Sequence, residues 1–189
     1  LKAKILTIFV SLILSACVLW AVVKINNSKP EIGGYFKAQN NGQDWTFKDD
    51  PKDLNLLFIG YVKCPDICPM TLSFINKALG ELELKDKSRV RFIFLSVDQN
   101  HVSAQDVSSY VKQFNSSFIG LNGTKNQIDQ IVTLFNLTYK IENDPKSYLG
   151  YSITHSDRIL FLNKLGIVIS QLPSPLSSDE ILKKIRENL

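Results

Sequence analysis

Three observations predict an α/β fold, a mixed sheet with helices on both faces. Apolar runs of strand length alternate with stretches whose apolar residues recur at helical spacing. Capping signals open three of the helical stretches. The chain closes with an apolar β-hairpin and one more helix. Strands and helices that alternate in this way pack as a sheet covered by its own helices. The 189 residues suit one domain, long enough outside its N-terminus to bury a core.

The elements follow in order. Gly33 to Ala38 predicts a strand, Asn40-Asn41-Gly42-Gln43 a hairpin turn, and Trp45-Thr46-Phe47 the returning strand. A charged loop, 48–55, leads to a buried strand at Leu56-Leu57-Phe58-Ile59. After the turn Gly60-Tyr61-Val62-Lys63-Cys64-Pro65-Asp66-Ile67-Cys68, Leu72, Ile75, Leu79 and Leu82 predict a helix to about Leu84. Pro69 falls in its first turn, where the missing N–H is not needed. Val90 to Val97 predicts a central strand, with Asp98 at its C-terminal edge. Ser103 with Asp106, and Thr124 with Gln127, cap two helices on either side of a short strand at Phe118 to Leu121. Tyr139 to Ile141 reads as a strand and 142–150 as a polar loop. Tyr151 to His155 then leads into a hairpin of Ile159–Leu162 and Ile167–Leu172. Pro173 and Pro175 end that pattern, and Ser177 caps a C-terminal helix. A cysteine pair at the end of the first βα unit is the layout of a thioredoxin-like fold.

The N-terminus is a separate segment. Ile5 to Val23 carries no charge over 19 residues. At ~1.5 Å per residue that just spans a hydrocarbon core of ~30 Å. Lysines flank it and Trp20 sits near one end, as interfacial aromatics do. Residues 1–24 are therefore expected to be an uncleaved transmembrane anchor, 25–32 a linker and 33–189 the folded domain. Two other readings remain: Leu14-Ser15-Ala16-Cys17 resembles a lipoprotein box with Cys17 lipidated, and a cleaved signal peptide is the third. All three place the domain outside the cytoplasm, for a bacterium on the periplasmic side of the inner membrane. The net charge of +4 includes +3 from Lys2, Lys4 and Lys24, leaving +1 for the rest. So small a charge excludes a nucleic-acid binder driven by phosphate contacts.

Cys64 and Cys68 carry the chemistry. They lie on a strand-to-helix turn, where the positive end of the helix dipole favours thiolate over thiol. Such a pair either exchanges electrons as dithiol and disulfide or holds a soft metal. With three residues between the sulfurs, a purely stabilising disulfide would gain little from loop entropy. Of the two histidines, His101 reads as a polar-loop residue. His155 precedes the hairpin that lies beside the cysteine turn in a thioredoxin-like layout. Two thiolates and one imidazole suit Cu(I), whereas zinc would want a fourth ligand. Asp98 stands at a strand's C-terminal end, where functional side chains collect. Asp66, between the cysteines, opposes thiolate formation by like charge. Met70 is expected to pack on its helix.

Cys64-Pro65-Asp66-Ile67-Cys68-Pro69, then Leu95-Ser96-Val97-Asp98, then His155-Ser156, resembles the Sco (SenC) family of copper-binding assembly factors for cytochrome c oxidase, over roughly residues 33–188. The resemblance implies a thioredoxin-like domain that binds copper through Cys64, Cys68 and His155. It implies a role in loading the copper site of oxidase subunit II, as a donor or as a reductant of that site's cysteines, rather than an enzyme in the turnover sense. Asp66 and Asp98 are then expected to support the site or contact the partner. Three positions depart from the family's habit: Val62 replaces a frequent Thr, Gln99 the usual Pro, and Thr154 the Asp that commonly precedes the histidine. The loss of that Asp bears on partner choice or on support for the ring. The alternative is a thiol–disulfide oxidoreductase without a metal role.

Overall fold

The first pair of strands, β1 (Lys37–Asn40) and β2 (Gln43–Thr46), is an antiparallel hairpin. This is a computed structural model, and it describes residues 13–20, 31–173 and 177–189. The hairpin begins later than the predicted Gly33, because Gly33 and Gly34 have φ of +111° and +141°, outside the range of a regular strand. Gly33 instead makes an isolated antiparallel bridge to Ile167.

Strand β3 (Leu54–Gly60) is buried along its whole length and reads as apolar sequence but for Asn55, whose side-chain amide donates to the Lys52 carbonyl at 2.8 Å. The cysteine turn follows, and then helices α1 (Ile67–Gly80) and α2 (Leu84–Lys87). The helix predicted to reach Leu84 stops at Gly80. There the Leu82 N–H bonds back to the Leu79 carbonyl at 3.3 Å, tightening the chain so that Leu82 turns into the core. Strand β4 (Val90–Ser96) runs parallel to β3 with Leu54 opposite Val90 and Gly60 opposite Ser96. Helix α3 (Ala104–Lys112) opens with the expected Ser103–Asp106 capping box and leads to β5 (Ile119–Leu121), parallel to β4. Helix α4 (Lys125–Leu134) opens with the Thr124–Gln127 box.

The next segment differs from expectation. Strands β6 (Tyr139–Asn143) and β7 (Tyr151–His155) pair antiparallel with each other and form a two-stranded sheet of their own. Tyr151 to His155 is thus a ladder strand, not a lead-in, and the loop shrinks to 144–150. The cause is period-two patterning on both strands: Tyr139 and Ile141 pack with Tyr151 and Ile153 on one face. Strands β8 (Arg158–Leu162) and β9 (Val168–Pro173) complete the main sheet, and α5 (Ser178–Asn188) ends the chain.

The main sheet has the order β5-β4-β3-β8-β9, parallel on one side of β3 and antiparallel on the other. Leu54, Leu56 and Phe58 face a core shared with α1, α3 and α5. Leu57 and Ile59 face a second core shared with α4 and the small hairpins. Helices therefore cover both faces, as the alternating sequence predicts.

Chain contacts divide the protein into Leu1–Glu31 and Ile32–Leu189. Of the first unit, residues 13–20 are helical and exposed. The rest of the anchor expected over Ile5 to Val23 lies outside the described residues. Among the described residues no helix is long and apolar enough to cross a membrane.

Candidate metal centre

Gly60, the last residue of β3, determines how closely helix α1 can start against the sheet. A Cβ at Gly60 would stand 2.6 Å from the Cys68 sulfur and 2.8 Å from the Phe94 ring. The bare backbone therefore makes room for the sulfur. The chain then turns, with the Cys64 N–H donating to the Tyr61 carbonyl at 3.2 Å. Cys64 precedes α1 and Cys68 is its second residue. Asp66 occupies the N-cap position, yet its side chain caps nothing and is exposed. Its carbonyl accepts from the Met70 N–H at 3.3 Å.

Both cysteines are reduced and buried. They are not equivalent. The Cys68 thiol, the His155 side chain and the N–H groups of Asp66 and Cys68 all bond the Cys64 sulfur and hold its ionisation far below the ordinary thiol range, against the opposing effect of burial. Its S–H bond to Cys64 and its own deeper burial push the Cys68 thiol up. One proton is thus shared by the pair, with Cys64 as the thiolate.

His155 ends β7 and places Nε2 3.8 Å from the Cys68 sulfur. Its Nδ1 lies 3.1 Å from the Ser156 carbonyl oxygen, which only accepts, so Nδ1 carries a proton. A neutral ring is then left with its free electron pair on Nε2, the atom that faces the sulfurs. Phe58 and Tyr61 meet the ring edge-on, each at 6.1 Å between centroids. The Ser156 N–H donates to the Thr138 carbonyl at 2.9 Å, tying the end of β7 back to the start of β6.

This set fits a soft ion. A sulfur at ~2.3 Å and a nitrogen at ~2.0 Å from a trigonal centre stand about 3.7 Å apart; the Cys68–His155 separation is 3.8 Å. The three side chains are held in a hydrogen-bonded arrangement rather than a ligating one, and among the described residues no three such groups are already closed around a point. Opening the Cys64–Cys68 hydrogen bond is the step that would free both sulfurs.

The other predicted residues scatter. Asp98 is fully buried, but it bonds the Tyr151 hydroxyl at 2.7 Å and the His101 Nδ1 at 2.5 Å instead of touching the thiols. His101, read from sequence as a plain loop residue, is stacked on the Tyr151 ring at 4.0 Å. Met70, expected to pack on its helix, is 37% exposed next to the cysteine turn. Tyr148, also unforeseen, is exposed and donates from its hydroxyl to the Lys63 carbonyl at 2.9 Å. Period-two spacing relates Tyr151 to His155 on one strand, but no signal in the sequence joins either to Asp98. Cys17 lies in the N-terminal unit and is exposed.

A thioredoxin-like domain whose first βα turn brings two thiols to one imidazole defines a class of thiol and soft-metal proteins. The family model SCO1/SenC matches residues 25–189, and the chain belongs to that family. It is 27% identical over 159 residues to Protein SCO2, mitochondrial, of Saccharomyces cerevisiae, covering 84% of this chain and 53% of the relative. It is 28% identical over 162 residues to SCO2-like protein RP587 of Rickettsia prowazekii, covering 84% of this chain and 78% of the relative. The chain thus spans about half the length of the yeast relative and most of the bacterial one. The crystal structure of Arabidopsis thaliana ScoI with copper bound superposes with a TM-score of 0.74 at 25% identity, covering 83% of this chain and 97% of that one.

Proposed function

We propose that this chain is a membrane-tethered copper-binding protein that serves the copper site of cytochrome c oxidase during assembly, with Cys64, Cys68 and His155 holding one Cu(I). The observation that carries the reading is the convergence of His155 Nε2 on the Cys68 sulfur, 3.8 Å apart across 87 positions of sequence, with Cys64 bonded to that same sulfur. Two thiols and an imidazole with its Nε2 turned inward form a donor set of the kind Cu(I) takes. The copper-bound relative and the oxidase role implied by the family motif point the same way. The uncharged stretch Ile5 to Val23 supports a tether, with the domain on the periplasmic side of a bacterial inner membrane.

The test is copper loading of the reduced full chain without oxygen, followed by metal analysis. One copper per chain is expected, lost in His155→Ala although thiol titration still finds Cys64 and Cys68 reduced. Undiminished copper in His155→Ala overturns the three-ligand assignment.

The unequal thiols favour a second use of the same pair. As the thiolate, Cys64 attacks one sulfur of an acceptor disulfide and displaces the other sulfur, which takes up a proton. Cys68 gives up its proton and attacks Cys64, releasing the acceptor's second thiol. Two electrons pass to the acceptor, and Cys64–Cys68 ends as a disulfide. That disulfide has no thiolates to offer copper, so the reductive and metal-carrying uses exclude each other in time.

A further inference from the structure

Asp98, His101 and Tyr151 form a second polar cluster, and the copper-binding reading gives none of them a ligand role. Asp98 is fully buried just past the end of β4. A carboxylate taken out of water is costly unless its oxygens are hydrogen-bonded. Both are: one accepts from the Tyr151 hydroxyl at 2.7 Å, and the other faces His101 Nδ1 at 2.5 Å. The His101 ring lies flat on the Tyr151 ring, with centroids 4.0 Å apart and planes within 12°. The tyrosine is therefore held at its hydroxyl and across its face.

Tyr151 begins β7 and His155 ends it, and alternation along a strand puts Tyr151, Ile153 and His155 on one face. Among the described residues, strand β7 has a single ladder partner, β6, and neither joins the five-stranded sheet. A lone two-stranded ribbon is marginal in water. A slip of one residue along it would exchange His155 for Thr154 at the thiols. Burial of Tyr151 and Ile153 in the second core resists that slip, and contacts outside the ribbon fix how far it reaches toward the thiols. Tyr139, paired with His155 in the ladder, donates to Asp129 at 2.7 Å and holds β6 to α4. Strand β7 itself is joined through a buried hydrogen bond to the end of β4, the neighbour of the strand that leads to the cysteines.

We propose that Asp98, acting through Tyr151, is a positioning residue for His155: beside the packing of Tyr151 and Ile153 in the second core, the buried carboxylate–hydroxyl bond fixes the reach of the strand that presents the imidazole to the two thiols. His101 holds the carboxylate's other oxygen and covers the tyrosine ring. The proposal rests on the reading of His155 as a copper ligand, and it also has a consequence in the metal-free protein.

The test is a double-mutant cycle on the reduced full chain, with Cu(I) affinity measured by competition against a Cu(I)-binding dye. Tyr151→Phe keeps the ring and its stacking and removes only the hydroxyl. It is expected to weaken Cu(I) binding several-fold, less than the loss of about 10- to 100-fold seen when a group bonded directly to a metal ligand is removed. In the His155→Ala background the same change is expected to do nothing further. Equal losses in both backgrounds, or no loss in the first, overturn the proposal. The second measurement needs no copper. In nitrogen-15 spectra of the reduced metal-free chain, Tyr151→Phe should shift or broaden the His155 ring signals and leave the Cys68 amide in place. Unchanged ring signals overturn the proposal. If His155→Ala alone fails to weaken Cu(I), the copper reading falls, and the metal-free spectra still decide whether Tyr151 positions the ring.

Discussion

The two halves of the candidate centre come from regions built to different standards. The thiols stand where β3, buried on both faces and paired on both edges, passes into α1. The imidazole stands on β7, one strand of a two-stranded ribbon outside that sheet. The sheet side is held by hydrophobic burial shared among many residues, so its position is overdetermined. The ribbon side rests on a smaller buried face, Tyr151 and Ile153 with Tyr139 and Ile141 against them, and on a few named hydrogen bonds, from Tyr151, Tyr139 and Ser156. A centre assembled this way can keep its thiols fixed while its third donor moves, because partial opening follows the distribution of buried contacts.

Substitution on the two sides should separate them. The largest effect is expected at the sheet. Leu57 is fully buried in β3, and Leu57→Ala should lower unfolding free energy by roughly 2–5 kcal/mol. Denaturant titration followed by circular dichroism gives the number. A loss well under 1 kcal/mol would mean that the sheet is not the rigid half of the comparison. Next in size is Gly60→Ala, whose new methyl meets the Cys68 sulfur at 2.6 Å. Overpacking of this kind costs about 1–3 kcal/mol. It should also displace Cys68 and weaken Cu(I) binding whether or not His155 is present. Normal copper affinity in Gly60→Ala would show that the thiol side yields more easily than its burial implies.

How much of this was legible in the sequence follows the same division. The strands of the main sheet, the cysteine turn and the two capping boxes are local patterns, and local patterns survive in a linear reading. The helix end at Gly80 is hidden in the sequence because Leu82 keeps the apolar spacing while the chain has already turned. The sequence shows half of the ribbon: residues 151–155 read as a lead-in to the hairpin, since a short strand carries no mark of its partner. His155 was singled out by its chemistry and its place in a familiar layout, whereas its 3.8 Å approach to Cys68 depends on folding across 87 positions. Asp98 was noticed for its strand-end position, but its bond to Tyr151 spans 53 positions and leaves no local trace. His101 passed as a loop residue for the same reason.

The smallest effect concerns protons, and it tests which side tunes the thiols. Cys64 is ionised well below the ordinary thiol value of about 8.5, chiefly by the Cys68 thiol and secondarily by His155. In the unfolded chain both thiols keep their protons until about pH 8.5. Between the folded Cys64 value and that point, the unfolded state binds the extra proton. Stability of the reduced protein therefore rises with pH across this window, and this contribution is lost as pH falls through the folded Cys64 value. Cys68 works in the opposite sense above the window, because its folded value is raised and it keeps its proton where the unfolded chain releases one. At pH 6, iodoacetamide should accordingly label Cys64 and spare Cys68, with peptide mass mapping to locate the label. Since the sheet-side sulfur contributes most to the shift, His155→Ala should raise the Cys64 titration point only part of the way, and Cys68→Ala should raise it further. Equal labelling of both cysteines, each titrating near 8.5, would remove the asymmetry. A full return to 8.5 in His155→Ala would move control of the thiolate from the sheet to the ribbon.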